Sequence, residues 1–116
     1  MGTFVHDDYG ISWEEDSHRL NGQISIRYIE KFIDEFIEKD IKLVITVDCG
    51  IACKNEIKKA KDNGIDVIIT DHHSIPDNFP DDAFAIIHPK IKDTNYPYSE
   101  LTGAGVALKL AKALIP

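Results

Sequence analysis

The chain has 116 residues, 43% of them hydrophobic, and a formal net charge of −7. That length serves one ordinary core and not two. No stretch approaches the roughly 18 apolar residues of a membrane span, and the N-terminus lacks the basic-then-apolar pattern of a secretory leader. The acidity argues against an autonomous nucleic-acid-binding surface, since such binders neutralise phosphates with a basic groove. It favours divalent-metal sites instead, because two bound cations would cancel about four charges where acids cluster. Cys49 and Cys53 fit neither a zinc-finger nor a CxxC spacing, so reduced thiols in a cytoplasmic protein are expected.

Phe4-Val5 is a short apolar opening, readable as a strand, that leads into His6-Asp7-Asp8. Residues Ser12 to Gln23 are polar and read as irregular. From Ser25, a fitting N-cap, to about Lys39, apolar residues including Ile29, Phe32, Ile33 and Phe36 recur at helical spacing. This predicts an amphipathic helix. Leu43 to Val47 is a continuous β-branched run, as expected for a strand buried on both faces. A helix follows from about Cys53 to Asn63, with Gly64 placed to end it. Ile65 to Thr70 and Ala83 to Ile87 are further strand-like runs, separated by a Pro-containing loop, and a last helix is expected from Gly103 or Ala104 to Ile115. The alternation predicts an α/β fold, a three-layer, doubly wound and mostly parallel sheet with helices on its faces.

The strand ends carry the chemistry. Ligands of open α/β sheets bind just outside the carboxyl ends of the strands. One run ends in Asp48-Cys49-Gly50 and the next in Asp71-His72-His73. One helix and one strand lie between Asp48 and Asp71, so the two ends should be neighbours and their side chains should converge on one ion. The alternative for Asp48 is a capping role on the following helix. His72 and His73 would point opposite ways on an extended backbone; one then ligates metal and the other faces substrate, with Asp71 orienting an imidazole from behind. Mixed carboxylate and imidazole donors suit manganese, iron or zinc better than calcium. Asp7-Asp8 form a third acidic cluster, whose alternative is a surface turn. Arg19 suits phosphate, with a solvated loop pair His18-Arg19 as the alternative, and Gly103-Ala104-Gly105 opens a helix whose N–H groups can face an anion, with close packing as the alternative.

Together, Ile45-Thr46-Val47-Asp48-Cys49-Gly50-Ile51, Gly64 to His73, Ile86-Ile87-His88-Pro89-Lys90 and Leu101 to Ala107 resemble the DHH phosphoesterases, in particular the catalytic core of RecJ-type single-stranded-DNA exonucleases. His18-Arg19-Leu20-Asn21-Gly22 looks like a shortened second motif of that family. The resemblance implies a Rossmann-like DHH domain over residues 1–116, partial and without the C-terminal accessory domain. It implies a two-metal phosphodiesterase using two Mn2+ ions, with Mg2+ as the alternative. Asp48 would bridge both ions and His72 would ligate one; Asp7 or Asp8 would contribute a further ligand. His73 would contact the scissile phosphate, Asp71 would support the histidines, and Arg19, Gly103 and Gly105 would meet the nucleic-acid backbone. The family's first motif is an alternating acid pattern ending Asp-Gly. Here Asp7-Asp8-Tyr9-Gly10 stands in its place, and seven residues separate Gly10 from His18, too few for the usual helix and strand.

The leading expectation is hydrolysis of single-stranded DNA or another phosphodiester, with no membrane partner. The alternatives are a catalytically degenerate DHH domain serving as a binding or assembly module, which the altered first motif favours, and a hydrolase of small phosphoesters, which the negative charge favours.

Overall fold

The computed structural model describes the backbone of residues 2–7 and 10–15 and, with side chains, residues 31–116. It divides into two compact units, Met1–Phe32 and Ile33–Pro116. The first contains strands β1 (Gly2–Asp7) and β2 (Gly10–Glu15), paired antiparallel from Gly2↔Glu15 to Asp7↔Gly10. Phe4-Val5 is therefore strand, as the sequence suggests, but Ser12 to Glu15 are strand too rather than irregular. Ile11 and Trp13 lend this segment β-propensity that its polar neighbours mask.

Residues 31–38 are helical (α1), and from Ile33 on they belong to the second unit; Ser25 and the first turns of the expected helix lie outside the described residues. Strands β3 (Leu43–Val47), β4 (Asp66–Thr70) and β5 (Ala85–Ile87) form a parallel sheet in the order β3-β4-β5. Helix α2 (Lys54–Asp62) connects β3 to β4, and α3 (Gly103–Leu114) follows β5. The unit is thus mixed α/β around a small parallel sheet.

The core lies between α2, the buried side of α1 and the central strand. Ile57 and Ala60 of α2, Ile33 and Phe36 of α1, and Val67 and Ile69 of β4 are all buried. The α2-to-β4 turn explains how Gly64 sets this packing. Gly64 has φ +76, a left-handed value that glycine adopts without strain. It lets Ile65 N–H reach Ala60 O (2.9 Å) and Gly64 N–H reach Lys61 O (3.0 Å), the paired bonds of a Schellman C-cap. Ile65, the next residue, is then buried beside Ala60 and starts the chain into β4.

β3 departs from expectation. Its side chains Leu43, Ile45 and Val47 are 51%, 44% and 51% exposed, so it is not buried on both faces. A continuous apolar run signals two-sided burial only for a central strand. Here β4 is central, while β3 pairs on one side only among the described residues. No described helix is long and apolar enough to cross a membrane.

Candidate metal centre

The carboxyl ends of all three parallel strands supply the site. Asp48 is the first residue after β3, Asp71 the first after β4 and His88 the first after β5. Asp48 N–H donates to Thr70 O (2.9 Å), and Asp71 N–H to Ile87 O (3.2 Å), so each strand end is tied to the next. Asp48 has φ +62 and Gly50 φ +110. Aspartate tolerates the left-handed region better than most residues, and the double reversal turns the chain sharply off the strand. Thr46 Oγ donates to Cys49 O at 2.7 Å and closes the turn. The capping alternative for Asp48 does not hold: the N-cap of α2 is Cys53, which makes no side-chain cap bond.

Asp71 is 1% exposed. Its Oδ2 accepts from Ile51 N–H (3.1 Å), and its Oδ1 accepts from the backbone N–H groups of His72 (2.7 Å) and His73 (3.3 Å). The same Oδ1 lies 2.6 Å from His73 Nδ1. Burial alone would raise this carboxyl, but the hydrogen bonds from Ile51, the His73 ring and the two histidine backbones outweigh it and hold it below the ordinary carboxylate value. An ionised Asp71 accepts only, so His73 carries its proton on Nδ1 and leaves Nε2 for a ligand.

His72 Nε2 lies 2.8 Å from Asp48 Oδ1. The His72 and His73 rings are 4.7 Å apart, tilted by 49°. Donor atoms of Asp48, His72 and His73 all fall within 4.8 Å of one another. The two histidines therefore converge instead of alternating. Alternation belongs to extended strand, and β4 has already ended at Thr70.

Two glycine-rich and thiol features frame the cluster. A Cβ placed on Gly103 would overlap the Asp48 carboxylate, so only glycine lets the first residue of α3 sit against it. Gly105 N–H donates to Thr102 Oγ at 3.1 Å, within the helix cap. Burial first, then the charges of Asp71 and Asp48, push the Cys49 thiol up to about 11; burial, then Glu56, pushes Cys53 up to about 12. Both are free, and values this high argue against an activated thiolate nucleophile at either position.

Residues 10–115 match the DHH family, N-terminal domain. The chain belongs to the DHH family. It is 54% identical over 78 residues to the single-stranded-DNA-specific exonuclease RecJ of Bacillus subtilis (strain 168), covering 67% of this chain and 10% of that protein. The RecJ of Escherichia coli (strain K12) is 42% identical over 100 residues, 86% of this chain and 16% of that one. The chain thus spans only a small part of the curated relatives it matches. Among solved structures, RecJ in complex with Mn2+ from Thermus thermophilus aligns with TM-score 0.56 and 32% identity over 75% of this chain and 14% of that one. A second RecJ structure, bound to manganese, gives 0.53 and 31% over 71% and 22%.

Of the site residues expected in this DHH chain, the structure brings together Asp48, His72 and His73, with Asp71 beneath them and Gly103 against Asp48. Arg19 and Asp8 lie outside the described residues, as does the side chain of Asp7. Sequence reasoning counted His88 within a family-like segment but gave it no role. It is 6% exposed, its Nε2 is 2.9 Å from His73 O, and its Nδ1 accepts from Lys90 N–H at 3.1 Å. Burial lowers its pKa, more than the His73 carbonyl and the Asp71 charge raise it. A signal was present: His88 follows Ile86-Ile87 as Asp71 follows Ile69-Thr70, a polar residue directly after an apolar strand.

Proposed function

We propose that this chain is the metal-binding part of a DHH phosphodiesterase core that hydrolyses single-stranded DNA, with two divalent ions, manganese first and magnesium as the substitute. The observation that carries this reading is the convergence of one carboxylate and two imidazoles within 4.8 Å at the strand ends. That donor set fits Mn2+, which accepts oxygen and imidazole ligands together. The Asp48 side chain is 57% exposed and the His73 side chain 52%, so substrate and water have access. Bound ions would supply charge stabilisation at the phosphoryl oxygens and a hydroxide at neutral pH.

In this reading Asp48 and His72 hold metal. His73, its Nδ1 engaged by Asp71, presents Nε2 to the scissile phosphate. Asp71 keeps His73 oriented and takes no part in binding. Ligands for a second ion rest on the sequence alone, where Asp7 and Asp8 are offered, and so do the backbone contacts of Arg19, Gly103 and Gly105. The wider reading is a partial DHH domain of three-layer, doubly wound type in a cytoplasmic protein. The net charge of −7 favours a second reading, a small phosphoester as substrate, because such a substrate needs no basic groove.

Calorimetric titration of the metal-free chain with Mn2+, beside Asp48→Ala, tests the centre. About two ions per chain, lost in the variant, is the outcome expected of a two-metal site. Hydrolysis of a 5′-phosphorylated single strand but not of a dinucleotide supports the leading substrate; the reverse supports the second. A folded chain that binds no manganese would leave a degenerate binding or assembly module.

A further inference from the structure

We propose that His88 is a positioning residue for the centre, fixing the peptide that carries His73. Two bonds define its ring. Lys90 N–H can only donate, so Nδ1 must present a lone pair at 3.1 Å. The His73 carbonyl can only accept, so the proton sits on Nε2 and is given to it at 2.9 Å. The geometry alone selects the neutral Nε2–H tautomer, because an imidazolium would lose the bond from Lys90.

His73 is then gripped on three sides. Asp71 Oδ1 takes its backbone N–H and its ring Nδ1, and His88 takes its carbonyl. With those atoms engaged, Nε2 is the ring atom left to meet a ligand. The chain runs on through Ser74-Ile75-Pro76, which belong to no strand or helix, so nothing regular holds the His73–Ser74 peptide from the far side. Released from His88, that peptide can rotate and carry the imidazole off line, and small misplacements of a reacting group are expensive in rate. β5 thereby acts on the centre through the residue that follows it, although it supplies no ligand.

The test uses three substitutions with different surviving bonds. Gln places an amide N–H close to the His Nε2 position and keeps the donor to His73. Asn places an oxygen near Nδ1 and keeps the acceptor for Lys90. Ala keeps neither. The kinetic arm rests on the proposed hydrolase reading. We expect kcat for His88→Ala and His88→Asn to fall about 10–100-fold, the range for residues that orient a metal-site ligand, with KM and Mn2+ affinity within about threefold of wild type. His88→Gln should recover most of that loss. The second arm is independent of any activity: long-range 1H–15N spectra of the histidine rings should keep the His73 signals in place in Gln and shift them in Asn and Ala. Rescue by Asn rather than Gln, unmoved kcat and His73 signals, or equal unfolding of all three variants would each overturn the proposal. A wild-type chain with no hydrolase activity would count against the proposed function, while the ring signals would still decide the role of His88.

Discussion

Asp48 and Asp71 stand at matched places, each one residue beyond the end of a parallel strand, with Val47 and Thr70 paired just before them. Their surroundings give them opposite work. Asp71 is buried and every hydrogen bond it accepts comes from its own chain. Asp48 is more than half exposed, sits on a left-handed backbone and has the His72 ring as its near partner. A carboxylate whose lone pairs are already taken suits the proposed framework role; one held on a left-handed turn with lone pairs to spare suits the proposed role of ligand.

The largest effect should come from erasing the proposed ligand. Asp48→Asn keeps the left-handed turn, which Asn also tolerates, and removes the charge. Mn2+ binding should vanish in calorimetry and the proposed phosphodiesterase activity should fall by roughly 10³-fold or more, with the melting temperature nearly unchanged. His73→Ala should lose the same activity while binding Mn2+ much as wild type does. A large loss of affinity there would place His73 among the ligands and exchange its role with that of His72.

Erasing the framework should instead unfold the unit. Asp71→Ala strands the N–H groups of Ile51, His72 and His73, and should cost about 3–5 kcal/mol in chemical denaturation. The pH dependence has a definite sign. Folding lowers the Asp71 carboxyl, so its contribution is fully present above the ordinary carboxylate value near about 4 and is lost as pH falls through the lower folded value. Stability measured between about pH 4 and pH 2 should therefore drop more steeply in wild type than in Asp71→Asn. Parallel slopes would mean that Asp71 is not held ionised by its neighbours.

A third substitution pair extends the contrast to the strands. Ile69 of β4 is 0% exposed and Ile45 of β3 is 44% exposed. Ile69→Ala should cost about 2–5 kcal/mol and Ile45→Ala under about 1 kcal/mol. Equal losses would show that the outer face of β3 is covered in solution.

The sequence carries this division unevenly. Asp48 and Asp71-His72-His73 were legible because a metal-competent residue after an apolar run is a local pattern, and α2, β4 and α3 were legible from periodicity and Gly64. The exposure of β3 was not, since Leu43 to Val47 reads alike at a sheet's centre or its edge, and only the strand order decides. The β2 strand escaped because Ser12, Glu14 and Glu15 dilute its apolar residues. His88 escaped for a different reason: it works through a backbone carbonyl fifteen positions away, and no residue type at His73 would have announced that bond.

The smallest expected effects separate two glycines of one helix start. Gly103 and Gly105 carry the same expected role in phosphate contact, yet their surroundings differ. A Cβ at Gly103 meets Asp48 at its own Cβ and carboxylate, so one of them must move. A Cβ at Gly105 lies 3.1 Å from Leu101 Cδ2, the end of a side chain that can turn aside. Gly103→Ala should therefore cost about 1–3 kcal/mol by overpacking. It should also weaken Mn2+ binding, because the displaced group is the proposed ligand. Gly105→Ala should leave Mn2+ binding intact and lie within about 1 kcal/mol of wild type, its better helix propensity offsetting the crowding. If both variants bound Mn2+ like wild type, the close approach of α3 to Asp48 would be packing without consequence for the centre. If Gly105→Ala alone lost activity, the helix start would act on substrate directly and not through Asp48.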